Sequence, residues 1–477
     1  MFIKGLKFIF ILCLIANFVL EAEAAELSGE QKALLFAFIQ EAPQEGLDLS
    51  DYNASEENVY QVAQQYIRDL KAGRKAPRAF DKELYIYPSD INSKAILDDC
   101  LEQETLQECL SKIPPQYPEY LKLKETLAQF REVENQGGWK TIPAGKTLYE
   151  GMEDDRVPLI IERLKQGKYL GKELENSNMY NPQIIEAVHL FQILHGIDND
   201  GVLGPKTLAA MNVPVEKRIE QIILNMERWR WMPEELAERH LRVNIAGFYL
   251  KAFEAGREII DMPVIVGQPY RRTPVMNSTI ENIIFNPYWH VPRRIAVDKL
   301  LPLIQENPDY LAQQEFEVFD EDGGKIQNPV RLNWSSFNKN YFPFRLRQDP
   351  GSKNALGHVR FSLVNDLSIY LHGTPDQDLF MQIDRAKSSG CIRVERPLEL
   401  AEFVLEQTPN WPPAKIRETY YAYVDNPGIK PSTAPLAQPL SVYLQYWTAW
   451  VDTHGHVHFR EDIYGRDEKL KTALFGQ

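Results

Sequence analysis

The spacing of apolar residues divides the chain into a helical first half and a strand-rich second half. From residue 26 to about 150 the apolar positions recur at helical intervals. "SGEQKALLFAFI" opens with Ser28 three residues before Gln31, the spacing of a capping box. "SEENVYQVAQQYIRDLKAG" places Val59, Val62, Tyr66 and Leu70 on one face and stops at Gly73. "YPEYLKLKETLAQFREVENQGG" predicts another helix, ended by Gly137-Gly138. No candidate chemistry lies here, and 25–150 reads as a helical scaffold.

Residues 151–213 predict a smaller, three-helix unit. "VPLIIERLKQG" is amphipathic, and "NPQIIEAVHLFQILHGI" offers Asn181 as cap with Pro182 in the first helical position. "DNDGVLGPKTLAAMNV" adds a turn and a third helix. That turn does not fit a calcium loop, because Leu203 holds the expected glycine position and Ala209 the expected glutamate position. Its aspartates read as turn formers. A linker helix is expected over 214–239. From about 240 to 477 the texture is β: "LRVNIAGFYLKAF", "REIIDMPVIVG", "TIENIIFNPYWHVP" and "HVRFSLVNDLSIYLHG" are rich in branched and aromatic residues. "EAGR" and "THGH" predict hairpin turns. Between 297 and 352 the pattern lapses, and a lid-like insertion is expected there. Its aromatic residues Trp334, Phe337, Tyr341 and Phe342 would close on a substrate. The fold class is therefore α+β and multi-domain.

The N-terminus changes the compartment. Lys4 and Lys7 precede the apolar run Phe8–Leu20, and Ala22-Glu23-Ala24 fits a cleavage site, so 1–24 predicts a secretory signal peptide. The run is short of the roughly 20 residues of a spanning helix; the alternative is an uncleaved N-terminal anchor. A length of 477 residues suggests two to four domains, and a formal charge of -14 argues against nucleic acid. Beyond the signal, three cysteines remain. On one continuous helix Cys100 and Cys109 would lie about 13 Å apart, too far to bridge, so a disulfide requires a turn between them. Cys391 is the odd thiol, either reactive or buried and inert.

"YLHGTPDQDLFMQIDRAKSSGCIRVE" then carries the chemistry. His372 ends a strand beside Gly373, and Cys391 sits in a Gly390-supported turn before a helix that starts near Pro397. A thiol nucleophile with a histidine base suits acyl transfer, with the N–H groups of Gly390 and Cys391 aimed at one oxyanion. Arg393 and the histidine would lower the thiol pKa. His454, His456 and His458 alternate in "VDTHGHVHFRED" and read as a hairpin rather than a metal site.

These residues resemble the motif of L,D-transpeptidases of the YkuD type: a His-Gly pair, a spacer, then Ser388-Ser389-Gly390-Cys391-Ile392-Arg393. "TPVMNSTIENIIFNPYWHVPRRI" and "NALGHVRF" are similar to further segments of that family, and the resemblance spans about 240–425. "EAVHLFQILHGI" and "DGVLGPKTLAAMN" resemble the three-helix peptidoglycan-binding domain. Together the chain resembles the long, YcbB-type periplasmic enzymes. The resemblance implies Cys391 as nucleophile, His372 as base and the Gly373 carbonyl as its orienting group. It implies Arg393, Ser389, Tyr370 and Trp289 along the substrate cleft, with no metal and no cofactor. Many short members carry histidine where Ser389 stands, so here His372 would do all the base work. The implied partners are tetrapeptide stems of peptidoglycan and carbapenem inhibitors. Contacts between the N-terminal helices and other cell-wall synthesis enzymes are left open.

Overall fold

The computed structural model describes residues 27–476 apart from 89, 172, 174–176 and 427. The expected signal peptide lies outside the described residues. No helix among the described residues is long and apolar enough to cross a membrane.

Ser28 forms the capping box of helix Gly29–Gln40. Its Oγ accepts from the Gln31 N–H at 3.1 Å, and Gln31 Oε1 accepts from the Ser28 N–H at 2.9 Å. Helix Val59–Ala72 buries Val59, Tyr66 and Leu70 against it and ends at Gly73, φ 80°. Helices Ser93–Leu101 and Leu106–Ser111 are separated by a turn. That turn brings Cys100 and Cys109 to 5.5 Å between Cα atoms, and they form a disulfide.

Helices Val157–Gln166, Pro182–His195 and Pro205–Met211 pack around Ile160, Leu164, Val188 and Phe191. Asn181 Oδ1 accepts from the Ile184 N–H at 3.1 Å. Asp200 Oδ1 accepts from the Val202 N–H at 2.9 Å, which is a turn-forming role.

Helix Val215–Arg230 is a central packing element rather than a loose tether. It lies against helix Pro118–Asn135 and shares a core with the C-terminal hairpin through Ile222, Met226, Trp229 and Trp447. At its end the buried Arg230 reaches Glu227 at 2.9 Å and the Tyr120 hydroxyl at 3.0 Å. The Tyr120 hydroxyl in turn donates to the buried Glu45 at 2.5 Å, which joins the N-terminal helices to the rest.

The strands in chain order are β1 (Leu84–Tyr85), β2 (Arg239–Asn244), β3 (Tyr249–Glu254), β4 (Arg257–Gly267), β5 (Val275–Phe285), β6 (Trp289–His290), β7 (Phe316–Phe319), β8 (Arg345–Gln348), β9 (Val359–Leu363), β10 (Tyr370–His372), β11 (Ala386–Ser388), β12 (Ile392–Val394), β13 (Ser432–Gln445), β14 (Ala449–Val451) and β15 (Val457–Phe459). The main sheet runs β5-β13-β2-β3-β4-β12-β10-β9, and β9 pairs back onto β5, closing the ring. Closure removes the free edges of an open sheet. Residues such as Val243, Ile283, Phe361 and Val442 fill the core with the helix Pro397–Leu405. "EAGR" makes the β3–β4 turn with Ala255 and Gly256 both at positive φ, 48° and 73°, as a tight hairpin requires. "THGH" turns between β14 and β15 at Gly455.

The region expected to be an irregular lid is a folded unit. β6, β8 and β7 form a three-stranded sheet. Helix Leu301–Glu306 covers it after a π-helical turn, Ala296–Leu300. Trp334 and Phe342 are buried with Ile304, Leu311 and Val318 in the unit's own core. They do not line the cleft, because they are needed as the apolar contents of a small separate core. Within 297–352 the segment meets the cleft through Lys299 and Leu300, and the stretch leading into it adds Trp289, Arg294 and Ile295.

Candidate active site

β10 and β12 are adjacent and parallel, with Leu371 opposite Ile392 and His372 opposite Arg393. Side chains alternate along a strand. Leu371 and Ile392 are fully buried in the core, so Tyr370, His372 and Arg393 point to the other face, and the alternation continued one residue back adds Cys391. On the far side β9 sets Arg360 opposite His372. All five residues line one cleft of about 820 Å³, a size typical of ligand sites.

The turn that presents Cys391 depends on Gly390, whose φ of 121° disfavours any side chain. A Cβ there would meet nothing closer than 3.6 Å, so conformation rather than space demands glycine. Thr273 Oγ1 anchors the turn by donating to the Gly390 carbonyl at 2.8 Å and accepting from the Gly267 N–H at 2.9 Å. Ser388 Oγ donates to the Cys391 carbonyl at 2.6 Å and accepts from the Gly390 N–H at 3.1 Å. That last bond corrects the expected role of Gly390: its N–H is engaged inside the turn rather than aimed at an oxyanion.

His372 is buried, and its Nδ1 lies 2.5 Å from the Gly373 carbonyl. A carbonyl only accepts, so Nδ1 carries the proton and Nε2 is left as the acceptor. Gly373 is held from behind by Gly357 (φ 62°). A Cβ on Gly357 would lie 2.7 Å from the Thr374 nitrogen and 2.8 Å from the Gly373 carbonyl carbon.

Burial, then the charges of Arg393 and Arg360, depress the His372 pKa to about 3. Burial also pushes the Cys391 thiol up; hydrogen bonds from Tyr370 and the charges of Arg360 and Arg393 oppose this without winning. The expectation that the histidine and Arg393 would lower the thiol pKa is therefore corrected: Arg393 pulls it down, the histidine is not among the influences on it, and burial prevails. The resting pair is a neutral thiol and a neutral imidazole. The thiol faces the Ser368 carbonyl at 3.7 Å, and Ser368 holds a positive φ of 57°.

The remaining expected residues fall as follows. Arg393 Nη1 pairs with Asp376 at 2.8 Å and lies 3.3 Å from Thr374 Oγ1. Ser389 Oγ accepts from Arg271 at 3.2 Å, and Arg271 pairs with Asp298 of the π-helical turn at 2.8 Å. Trp289 stands at the cleft wall, 6.0 Å from the Phe316 ring. Away from the cleft, His458 pairs with Asp452 at 3.1 Å on the C-terminal hairpin. Sequence reasoning missed Thr273, Gly357, Arg360, Arg271, Lys299 and Ser368. Thr273, Gly357, Arg360 and Ser368 lay in segments already singled out, "TPVMNSTIENIIFNPYWHVPRRI", "NALGHVRF" and "HVRFSLVNDLSIYLHG", and Lys299 lay in the expected insertion, but nothing local marked any of them.

Residues 238–416 match the YkuD family model, described as an L,D-transpeptidase catalytic domain. Residues 25–127 match a scaffold domain model, and 153–211 match one described as a "Putative peptidoglycan binding domain". A protein of Haemophilus influenzae described as "Putative L,D-transpeptidase" is 32% identical over 317 residues. The match spans 63% of this chain and 62% of that protein, less than two thirds of its length. Among solved structures, an L,D-transpeptidase fragment from Xylanimonas cellulosilytica is 14% identical, with 63% of this chain and 98% of that chain covered and a TM-score of 0.19. L,D-transpeptidase 3 of Mycobacterium tuberculosis, in complex with a faropenem-derived adduct, is 13% identical over 44% of this chain and 60% of that one, with a TM-score of 0.22.

Proposed function

With residues 238–416 matching the L,D-transpeptidase catalytic domain of the YkuD family, we propose that this chain is an exported, periplasmic L,D-transpeptidase. It joins third residues of peptidoglycan stem peptides through a thioester on Cys391. The observation that carries the reading is the single face shared by Cys391, His372, Tyr370 and Arg393, one strand spacing apart and open to a cleft.

His372 Nε2 takes the thiol proton as Cys391 Sγ attacks the carbonyl of the third residue of a tetrapeptide stem. The Cys391 N–H and the Tyr370 hydroxyl, both on residues lining the cleft, serve as donors to the developing oxyanion. Collapse breaks the peptide bond, and the imidazolium returns its proton to the leaving D-alanine amine. The third-residue side-chain amine of a second stem then attacks the thioester, His372 accepts its proton, and the thiol is regenerated. Water in place of that amine gives L,D-carboxypeptidase activity. Carbapenems acylate the same sulfur. Residues 151–213 serve as the wall-binding unit and 25–150 as the scaffold, with 240–477 catalytic.

The test is product analysis after incubation with disaccharide tetrapeptides. The proposal expects cross-linked dimers and free D-alanine from the native protein and neither from Cys391→Ala. Dimers formed by the purified variant would refute it.

A further inference from the structure

The protein carries a net charge of -14, yet the cleft is lined by six cations, Arg271, Arg272, Arg294, Lys299, Arg360 and Arg393, and one carboxylate, Glu83. Four of these cations have carboxylate partners. Arg271 and Arg294 share Asp298, Arg272 pairs with Glu83 and Arg393 with Asp376. Among the described residues, Lys299 and Arg360 have none; Arg360 lies over the Tyr370 ring at 4.7 Å. Lys299 differs from Arg360 in its surroundings. It projects from the π-helical turn of the inserted unit, next to Asp298, which holds Arg271. Lys299, Arg271 and Arg393 line the same cleft, where burial and the charges of the two arginines disfavour the lysine ammonium. Arg271 and Arg393 also each keep a buried Nε–H with no partner among the described residues.

Arg271 and Arg393 are each offset by one carboxylate, but Lys299 has none and both arginines keep an unmet N–H, so the group lacks an anion for its third charge. We propose that Lys299, with Arg271 and Arg393, binds a carboxylate of the peptide substrate and so selects acidic stems. This rests on the transpeptidase reading above. It gives the inserted unit a function: it delivers the one cation of the trio that the closed sheet does not supply. A bound carboxylate would also offset the charge of Arg393 beside His372, making proton uptake by the imidazole easier once substrate is present.

Stem peptides present three accessible carboxylates: the C-terminus of D-alanine, a side-chain carboxylate of the third residue and the α-carboxylate that the γ-linkage leaves free on D-glutamate. The experiment uses the L-alanyl-γ-D-glutamyl-diaminopimelyl-D-alanine tetrapeptide, its D-alanine amide, its diaminopimelate side-chain amide and its D-glutamate α-amide. Binding of each to Cys391→Ala protein is measured calorimetrically, in the Lys299 native, Lys299→Gln and Lys299→Arg backgrounds. Lys339→Gln, an exposed lysine of the same unit outside the cleft, is the control. Lys299→Gln should weaken the free acid about tenfold, the scale of one charge-assisted hydrogen bond. Lys299→Arg should retain most of the affinity and Lys339→Gln all of it. The amide that loses sensitivity to Lys299→Gln identifies the carboxylate. Equal affinity of Lys299→Gln and native protein for the free acid, or equal weakening toward all four peptides, would overturn the proposal. Turnover of the free acid by protein with Cys391 intact is recorded in parallel: its absence refutes the transpeptidase reading, whereas turnover with unchanged binding refutes only the role of Lys299.

Discussion

Gly357→Ala is the substitution most informative about how His372 is aimed. Gly357 has φ 62°, and a Cβ would sit 2.7 Å from the Thr374 nitrogen and 2.8 Å from the Gly373 carbonyl carbon. Both atoms are backbone, so no rotamer change relieves the contact. Gly256 is the matched control: its φ is 73°, and a Cβ there meets nothing within 4 Å. Left-handed backbone costs an alanine about 1–2 kcal/mol at either position. Overpacking adds about 1–3 kcal/mol at Gly357 alone. Urea unfolding should therefore show a loss of about 1–2 kcal/mol for Gly256→Ala and about 2–5 kcal/mol for Gly357→Ala. The extra displacement falls on the Gly373 carbonyl that receives the His372 Nδ1 proton. Acylation by a carbapenem should slow on the order of a hundredfold for Gly357→Ala, as a shift of about 1 Å at a catalytic group implies. Gly256→Ala should acylate at the native rate. Equal stability losses in the two variants, or a native acylation rate in Gly357→Ala, would refute the reasoning.

Three further predictions concern pH, thiol reactivity and redox. His372 has its pKa depressed to about 3 from an ordinary 6.5, so the unfolded chain binds the proton first. This contribution to stability is complete above about pH 6.5 and is lost as pH falls toward 3, at up to roughly 1.4 kcal/mol per pH unit. His372→Gln should flatten the acid limb of the stability curve by about one proton; an unchanged slope would contradict the burial argument. Because burial raises the Cys391 thiol, alkylation of the free protein by iodoacetamide should be slow at neutral pH and climb through pH 9. A rate already at its plateau near pH 6 would indicate a preformed thiolate–imidazolium pair. Reduction of Cys100–Cys109, nine residues apart, should destabilise the N-terminal helices by about 2–3 kcal/mol. It should leave carbapenem acylation unchanged, as measured by intact mass.

What could be read from the chain was what is encoded locally. Ser28 with Gln31, Asn181 with Pro182, and Pro397 at the first position of its helix all make their caps or starts within four residues. The "EAGR" turn is equally local, and so is the His372–Cys391 frame, whose glycines sit beside the reactive groups. What could not be read depends on pairing over distance. β5 meets β9 and β13 meets β2 across long stretches of chain, and ring closure follows from those registers rather than from any one strand's pattern. Thr273, Gly357 and Arg271 act on the site from other strands and loops, so nothing beside Cys391 announces them. The inserted unit shows the opposite error. Its strands β7 and β8 are four residues each and flanked by polar turns, too short for alternation to stand out. Trp334 and Phe342 therefore read as a closing surface when they belong to a core, while Tyr341 is exposed. The electrostatics were also out of reach: charge type is visible in "CIRV", but burial, which decides the sign for Cys391, is not.

The central claim is the thioester at Cys391, and intact-mass spectrometry during turnover of a tetrapeptide donor tests it most directly. In the absence of acceptor the account predicts a transient adduct equal to the donor less D-alanine. Peptide mapping should place it on Cys391, and added acceptor stem should discharge it into cross-linked dimer. Dimer formation with no adduct on Cys391, or an adduct mapped to any other residue, would contradict it.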